Sequence, residues 1–344
     1  MKKSIIIMLG LALMSVQSFA DTRAQALLLH NGQGKLFDAD QLQQAVNEAV
    51  DGDTICLSEG TFKVGGEGTL LINKDIALMG AGGDITIIGG NINIDLEENP
   101  TVHRHVLDAI RIKGNVTVGK SIRGVHIRNC WISETFNVQD ETEVYDIQID
   151  RCYLNSFFPS LSMMSATVTN SIISAVGKSG GGVAAPHDNI FIAGHDINFM
   201  NCSIYELDLY CKLAANYTNS IIYMSLGGQQ PHNNTLTNTL LTSGTSYPTA
   251  NHITKDGGNV LQNCYSFNYK ANIALNNDHF PTFSLTKETM LQEGFLGTDG
   301  TIVGAYGGAT PYTLQADGLS IKESVLRVDP DTRQLNVTLK VEKQ

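Results

Sequence analysis

Eight side chains in this sequence have the types and spacing to hold a ligand: Arg128, Trp131, Asp150, Tyr153, His187, Asp188, His195 and Asp196. The first four form two matching pairs. R-N-C-W at 128–131 and D-R-C-Y at 150–153 align position for position, which sets Arg128 beside Asp150 and Trp131 beside Tyr153 once the stretches lie side by side. His126 and Gln148 match in the same way. Neighbouring exposed rings would stack on sugar faces, with Arg128 and Asp150 supplying hydrogen bonds next to them. The alternative is that the rings pack under a loop or under the C-terminal segment. His187-Asp188 and His195-Asp196 flank one apolar stretch, N-I-F-I-A-G, where they would meet a ligand or metal or stand as solvated loop residues. Glu206, Asp208, Tyr210 and Lys212 alternate in E-L-D-L-Y-C-K-L, the edge of a groove or a plain solvated face. No C-x-x-C or H-x-x-x-H pairing is present, so no metal site is predicted.

What must position these residues is a repeat. I-R-N-C-W-I, I-D-R-C-Y-L, V-T-N-S-I-I, F-M-N-C-S-I, Y-T-N-S-I-I, L-T-N-T-L-L and L-Q-N-C-Y-S recur with fourth positions at Cys130, Cys152, Ser171, Cys202, Ser220, Thr239 and Cys264. Such a period means a solenoid of short supersecondary units. Alternation upstream of each copy (V-H-I, I-Q-I, I-N-F) reads as strand, and the third-position Asn suits a corner because it tolerates the left-handed region. Stacked parallel strands would place equivalent residues roughly 4.8 Å apart. One core column is then Ile127, Ile149, Val168, Phe199, Tyr217, Leu236 and Leu261, and another is Ile132, Leu154, Ile173, Ile204, Ile222 and Leu241. Cys, Ser and Thr would fill a narrow inward stack between them, and the asparagines would form a ladder exchanging hydrogen bonds from rung to rung. Interchange with Ser and Thr says that size matters at the cysteines. Cys130 and Cys152 also come within disulfide reach by Cα separation, so a bridge and reduced packing both stay open.

The period is too short for helical repeats, and a right-handed parallel β-helix fits it best. Here the sequence resembles the pectate-lyase-like superfamily. The segment 36–62, L-F-D-A-D-Q-L-Q-Q-A-V-N-E-A-V-D-G-D-T-I-C-L-S-E-G-T-F, is similar to that superfamily's entry, with a capping helix over about 38–51 whose apolar face would be Leu42, Ala45, Val46 and Val50. The resemblance covers roughly 36–270. It implies polysaccharide chemistry on an outward face: lyases use an Asp cluster for calcium and a cationic base, and inverting hydrolases use two carboxylates roughly 6.5 to 9.5 Å apart. Neither pattern is plain. R-I-K at 111–113 matches a short polygalacturonase motif without its companions, and G-H-D at 194–196 departs from G-H-G in its last residue. The D-G…V-G-A-Y-G-G…P-Y run after Phe295 resembles the closing segment of secreted bacterial β-helix proteins.

Lys2, Lys3, the apolar run from Ile5 to Met14 and Ser18-Phe19-Ala20 read as a secretory signal peptide over 1–20. That predicts export, to the periplasm, the outer surface or the medium. The β-helix would occupy 21–310, with regular rungs over about 120–270, and 311–344 would add two strands around Asp329-Pro330-Asp331 that close the far end or form a small appended unit. A net charge of −11 argues against nucleic acid and disfavours acidic polymers as well. No later segment is apolar enough to span a membrane. The expectation is a secreted β-helix that contacts glycans or cell-surface polymers through an outward face. A polysaccharide lyase or glycoside hydrolase is the alternative, and a structural surface protein is a third. No cofactor is predicted, and calcium would enter only with a lyase.

Overall fold

The computed structural model describes residues 24–64, 68–95, 105–119, 122–139, 143–159, 162–177, 196–208, 214–226, 233–244, 258–269, 287–313, 319–328 and 335–343. The predicted signal peptide lies outside them. A parallel β-solenoid of about seven turns dominates the chain, as the repeat predicts. Its strands form a 12-stranded sheet (sheet 1) and a 13-stranded sheet (sheet 2). Each repeat contributes one strand to each: Val125–Arg128 then Trp131–Val138, Ile147–Asp150 then Tyr153–Phe158, and so on to Val260–Gln262 then Tyr265–Tyr269.

The corner between the two sheets follows from backbone geometry. Asn129, Arg151, Asn170, Asn201, Asn219, Asn238 and Asn263 all have positive φ, from 46° to 53°. Asn reaches this left-handed region at lower cost than other side chains, which is why it recurs there. Ala109 has φ 57° at the equivalent point of Leu107-Asp108-Ala109-Ile110-Arg111-Ile112. This is a further copy of the repeat, and the missing Asn keeps it out of the seven-fold signature.

Both predicted core columns are in register, from Leu107 against Ile127 to Leu236 against Leu261 and from Ile112 against Ile132 to Ile222 against Leu241. All their members are buried except the partly buried Leu261. Rings stack along the axis within the first column and beside it: Phe199 and Tyr217 lie 5.0 Å apart and nearly parallel, and Phe157 meets Phe199 edge-on at 5.6 Å.

Sheet 1 begins with a hairpin, Gln25–His30 and Gln33–Asp38, paired antiparallel to each other and to Thr54–Leu57. Its turn is Asn31-Gly32, both at positive φ. An Asn-Gly pair between strands is a strong hairpin signal, and the sequence reading passed over it. Helix α1 (Leu42–Glu48) is shorter than the predicted 38–51 and buries Leu42, Ala45 and Val46 in the main core. Val50 is not on that face but 48% exposed, because the chain turns extended at Ala49. The Lys74 ammonium donates to the carbonyls of Val46, Asn47 and Ala49 at the helix C-terminus, where positive charge is favoured. Gln43 acts as one residue of an extra strand: its side-chain amide donates to the Leu71 carbonyl and accepts from the Leu71 N–H.

At the other end, helix α2 (Lys287–Glu293) leads into a strap, residues 295–313, that runs back along the outside of sheet 2. Strands Leu319–Val328 and Leu335–Lys343 then pair antiparallel with each other in a two-stranded sheet.

Candidate functional site

The outward face of sheet 1 carries a polar groove of about 470 Å³, lined by His126, Arg128, Gln148, Asp150, Arg151 and the threonines at 167 and 169. Register places them: His126, Gln148 and Thr167 are neighbours in one outward column, and Arg128, Asp150 and Thr169 in the next. Arg128 therefore does lie beside Asp150, as the sequence predicts. Its ion pair goes the other way along the column. Nε and Nη2 of Arg128 each lie 2.8 Å from Oδ2 of Asp108, whose Oδ1 accepts from Asn129 Nδ2 at 2.9 Å. Asp150 takes Nε of Arg151 at 2.8 Å on Oδ2 and the Thr169 hydroxyl at 2.7 Å on Oδ1.

Both carboxylates thus already accept from groups of the protein, one of them 4% exposed, while the Arg128 side chain stays 43% exposed. The chemistry this leaves toward solvent is hydrogen bonding by the guanidinium, by Gln148 and by hydroxyls. Asp108, Arg151, Thr167 and Thr169 were missed in sequence. The first would have emerged from the L-D-A-I-R-I copy, one rung before Arg128.

Trp131 and Tyr153 are neighbours in register, but they do not form an exposed platform. They are 4% and 2% exposed and meet edge-on at 5.5 Å between ring centroids. Of the two readings open to the sequence, packing beneath the C-terminal segment is the one found. Trp131, Tyr153 and Ile172 pack with Ala305 and Tyr312 of the strap, and the Arg111 guanidinium covers Trp131 at 3.7 Å. The R-I-K motif is thereby an alternating strand end: Arg111 stacks, Ile112 is buried and Lys113 is exposed. Farther along, Ile221, Tyr223 and Leu240 pack with Phe295, Ile302 and Val303.

The strap fits because of its glycines. A Cβ on Gly304 (φ 90°) would stand 2.6 Å from Cδ1 of Ile221, and one on Gly308 (φ 76°) would stand 2.5 Å from Nδ2 of Asn201. Neither the spacing nor the left-handed backbone accepts a side chain there.

The signature asparagines do not exchange hydrogen bonds with one another in the way expected. Asn170 donates to the Gly307 carbonyl at 2.8 Å, the Asn219 carboxamide bonds Thr298, and Asn129 bonds Asp108. Side-chain ladders run at other corners instead: Asn91 Oδ1 accepts from the Asn115 N–H and Asn115 Oδ1 from the Thr135 N–H, and Asn259, Asn234 and Ala215 repeat the pattern.

Cys130, Cys152, Cys202 and Cys264 of the Cys/Ser/Thr column are free thiols, as is Cys56 outside it. Size is only half of the requirement. The Cys152 amide donates to Ser171 Oγ at 3.0 Å and the Cys202 amide to Ser220 Oγ at 3.1 Å. Ser171, Ser220 and Thr239 hydroxyls donate back to carbonyls two residues earlier, as do the thiols of Cys152 and Cys202. Burial pushes the Cys202 thiol up to about 12 and that of Cys152 well above its ordinary value, so neither is a poised nucleophile.

His187, Asp188, His195, Tyr210, Cys211 and Lys212 lie outside the described residues. Asp196 opens strand Asp196–Met200, exposed, with Oδ1 accepting from Asn198 Nδ2 at 2.8 Å. Among the described residues no three His, Cys, Asp or Glu side chains are grouped to hold a metal ion, and no helix is long and apolar enough to cross a membrane. Compared with models of known protein families, with curated proteins and with solved structures, the chain matches none.

Proposed function

We propose that this is an exported β-helix protein that contacts glycans or other cell-surface polymers through the outward face of sheet 1, with the groove at Arg128 and Asp150 as its anchor. One observation carries the reading. Over the rungs of the repeat, the outward face of sheet 2 is apolar and occupied by the strap, whereas that of sheet 1 is mostly polar and accessible, with Met200 and Val260 its exposed apolar members. Arg128 and Gln148 present donors and acceptors at fixed spacing on a rigid sheet, the arrangement that binds hydroxyl-rich polymers at low entropic cost. Resemblance of the repeat and entry segment to the pectate-lyase-like superfamily supports a polymer as the partner, by analogy of fold alone.

A glycan array followed by pull-down tests the proposal. Binding should fall on Arg128→Ala and on Gln148→Ala while Tyr306→Ala, on the strap at 50% exposure, leaves it intact. Binding indifferent to both groove variants sinks it. Incubating each bound polymer with the protein should yield neither new reducing ends nor unsaturated products; turnover would replace this reading with a lyase or hydrolase. Mass spectrometry of the secreted form should place its N-terminus at Asp21.

A further inference from the structure

From the far edge of the groove onward, the same face changes character, and from this we infer that the ligand is an uncharged polymer lying along the solenoid axis across the rungs from Thr167 to Thr237. The inference rests on the glycan-contact reading above and names the chemistry and direction of the partner. One outward column continues from Gln148 as Thr167, Asn198, Asn216 and Thr235. Its neighbour continues from Asp150 as threonine in three of four rungs, with Met200 between Thr169 and Thr218 and with Thr237 last. Neither column holds a formal charge over these four rungs. Met200 is 42% exposed and Asn216 is exposed, so this stretch is not a packed interface within the chain.

Four physical features point to a neutral partner held at low entropic cost. Thr hydroxyls and Asn carboxamides both donate and accept, which matches a polymer of hydroxyls and offers no counter-charge to an anion. The two Asn side chains are already oriented, Asn216 donating to Asn198 and Asn198 to Asp196. β-Branched Thr on a strand has few rotamers to lose on binding. Among the described residues the flanking charge is Asp196, negative like the chain as a whole at −11, so an acidic polymer would be repelled where it left the groove. Direction follows from the repeat. Equivalent groups recur once per rung, roughly every 4.8 Å along the axis, so only a chain laid along the axis meets the same pair of columns repeatedly and stays continuous with the groove.

The test is retention of the exported protein on cellulose, chitin, xylan and mannan, and on polygalacturonate, at low and high salt. Retention on at least one neutral polymer, little changed by salt because no counter-ions are released, is expected. T218E/T237E should weaken it by at least about tenfold, equal to about 1.4 kcal/mol. T218V/T237V keeps the β-branched shape and should weaken it in the same direction, with unchanged circular dichroism. Retention on polygalacturonate alone, abolished by salt and by Arg128→Ala, overturns the neutral-polymer inference and leaves the broader reading standing. Neutral retention untouched by both double variants overturns the placement on these rungs. Retention on no polymer overturns both.

Discussion

The two outward faces are built by the same repeat and have opposite fates. The second position of each copy points outward from sheet 1 and reads Arg128, Asp150, Thr169, Met200, Thr218, Thr237 and Gln262; the fifth points outward from sheet 2 and reads Trp131, Tyr153, Ile172, Ser203, Ile221, Leu240 and Tyr265. Both columns vary. Only the fifth is apolar in nearly every copy, and an outward apolar column that long must be covered. The strap covers it, and the single polar member, Ser203, receives the Ala305 N–H on its Oγ at 3.0 Å. Variability therefore marks a face that the solenoid does not itself constrain, and hydropathy says whether another segment does.

The contrast is broken most directly by truncating one large side chain on each face. Trp131→Ala should cost about 3–5 kcal/mol in chemical denaturation, whereas Gln148→Ala, exposed on the open face, should cost about 0.5 kcal/mol or less. Equal costs would refute the distinction between a covered and an open face. Gly304→Val should cost about 2–3 kcal/mol, since its Cβ meets Ile221 and Ser203 inside van der Waals contact. As Trp131 is the only Trp, its fluorescence should shift to the red if the strap lifts, and an unshifted spectrum would show that the strap does not shield it.

The interior column gives the next test. Cys202→Ser should lie within about 1 kcal/mol of the parent, because Ser already fills this position in neighbouring rungs, while Cys202→Val leaves the Ser171 amide without its sulfur acceptor and should cost about 1–2 kcal/mol. Equal losses would mean that size alone matters. The same thiol carries a pH dependence. Its folded value of about 12 lies above the ordinary 9.0, so the unfolded chain releases the proton first; the stabilising contribution is whole below pH 9 and is lost as pH rises from 9 toward 12. Alkaline unfolding with the Cys202 thiol unreactive toward a disulfide reagent at pH 8 is expected, and rapid labelling of Cys202 in the native state would contradict it. Smallest of all, Thr218→Val on the open face should change stability by no more than about 0.5 kcal/mol.

Much of this was legible beforehand, and the reason is periodicity. Seven copies of one motif define strands, corners and both core columns, since a parallel stack forces equivalent residues together. The rung at Leu107 falls outside the seven-fold signature because Ala109 stands where Asn is usual, although it takes the same left-handed conformation. Arg128 and Asp150 were correctly placed side by side, yet their partners Asp108 and Arg151 were not foreseen: an ion pair chooses among several neighbours in reach, and register narrows that choice without making it. For the rings the sequence left platform and packing both open, for the same kind of reason. Position in the repeat says outward, and only a distant segment decides whether outward means solvent.

From the sequence alone came the solenoid, its corners, its core and the two outward columns, all consequences of local backbone preference and of a repeat that stacks on itself. Tertiary structure decided which column is buried, because the strap 295–313 lies more than a hundred residues from Trp131 and obeys no repeat. It decided likewise that Asn170 and Asn219 hold the strap and not each other, and that the polar groove is the face left open. These outcomes depend on contacts between segments of unrelated sequence, whose pairing no periodicity encodes.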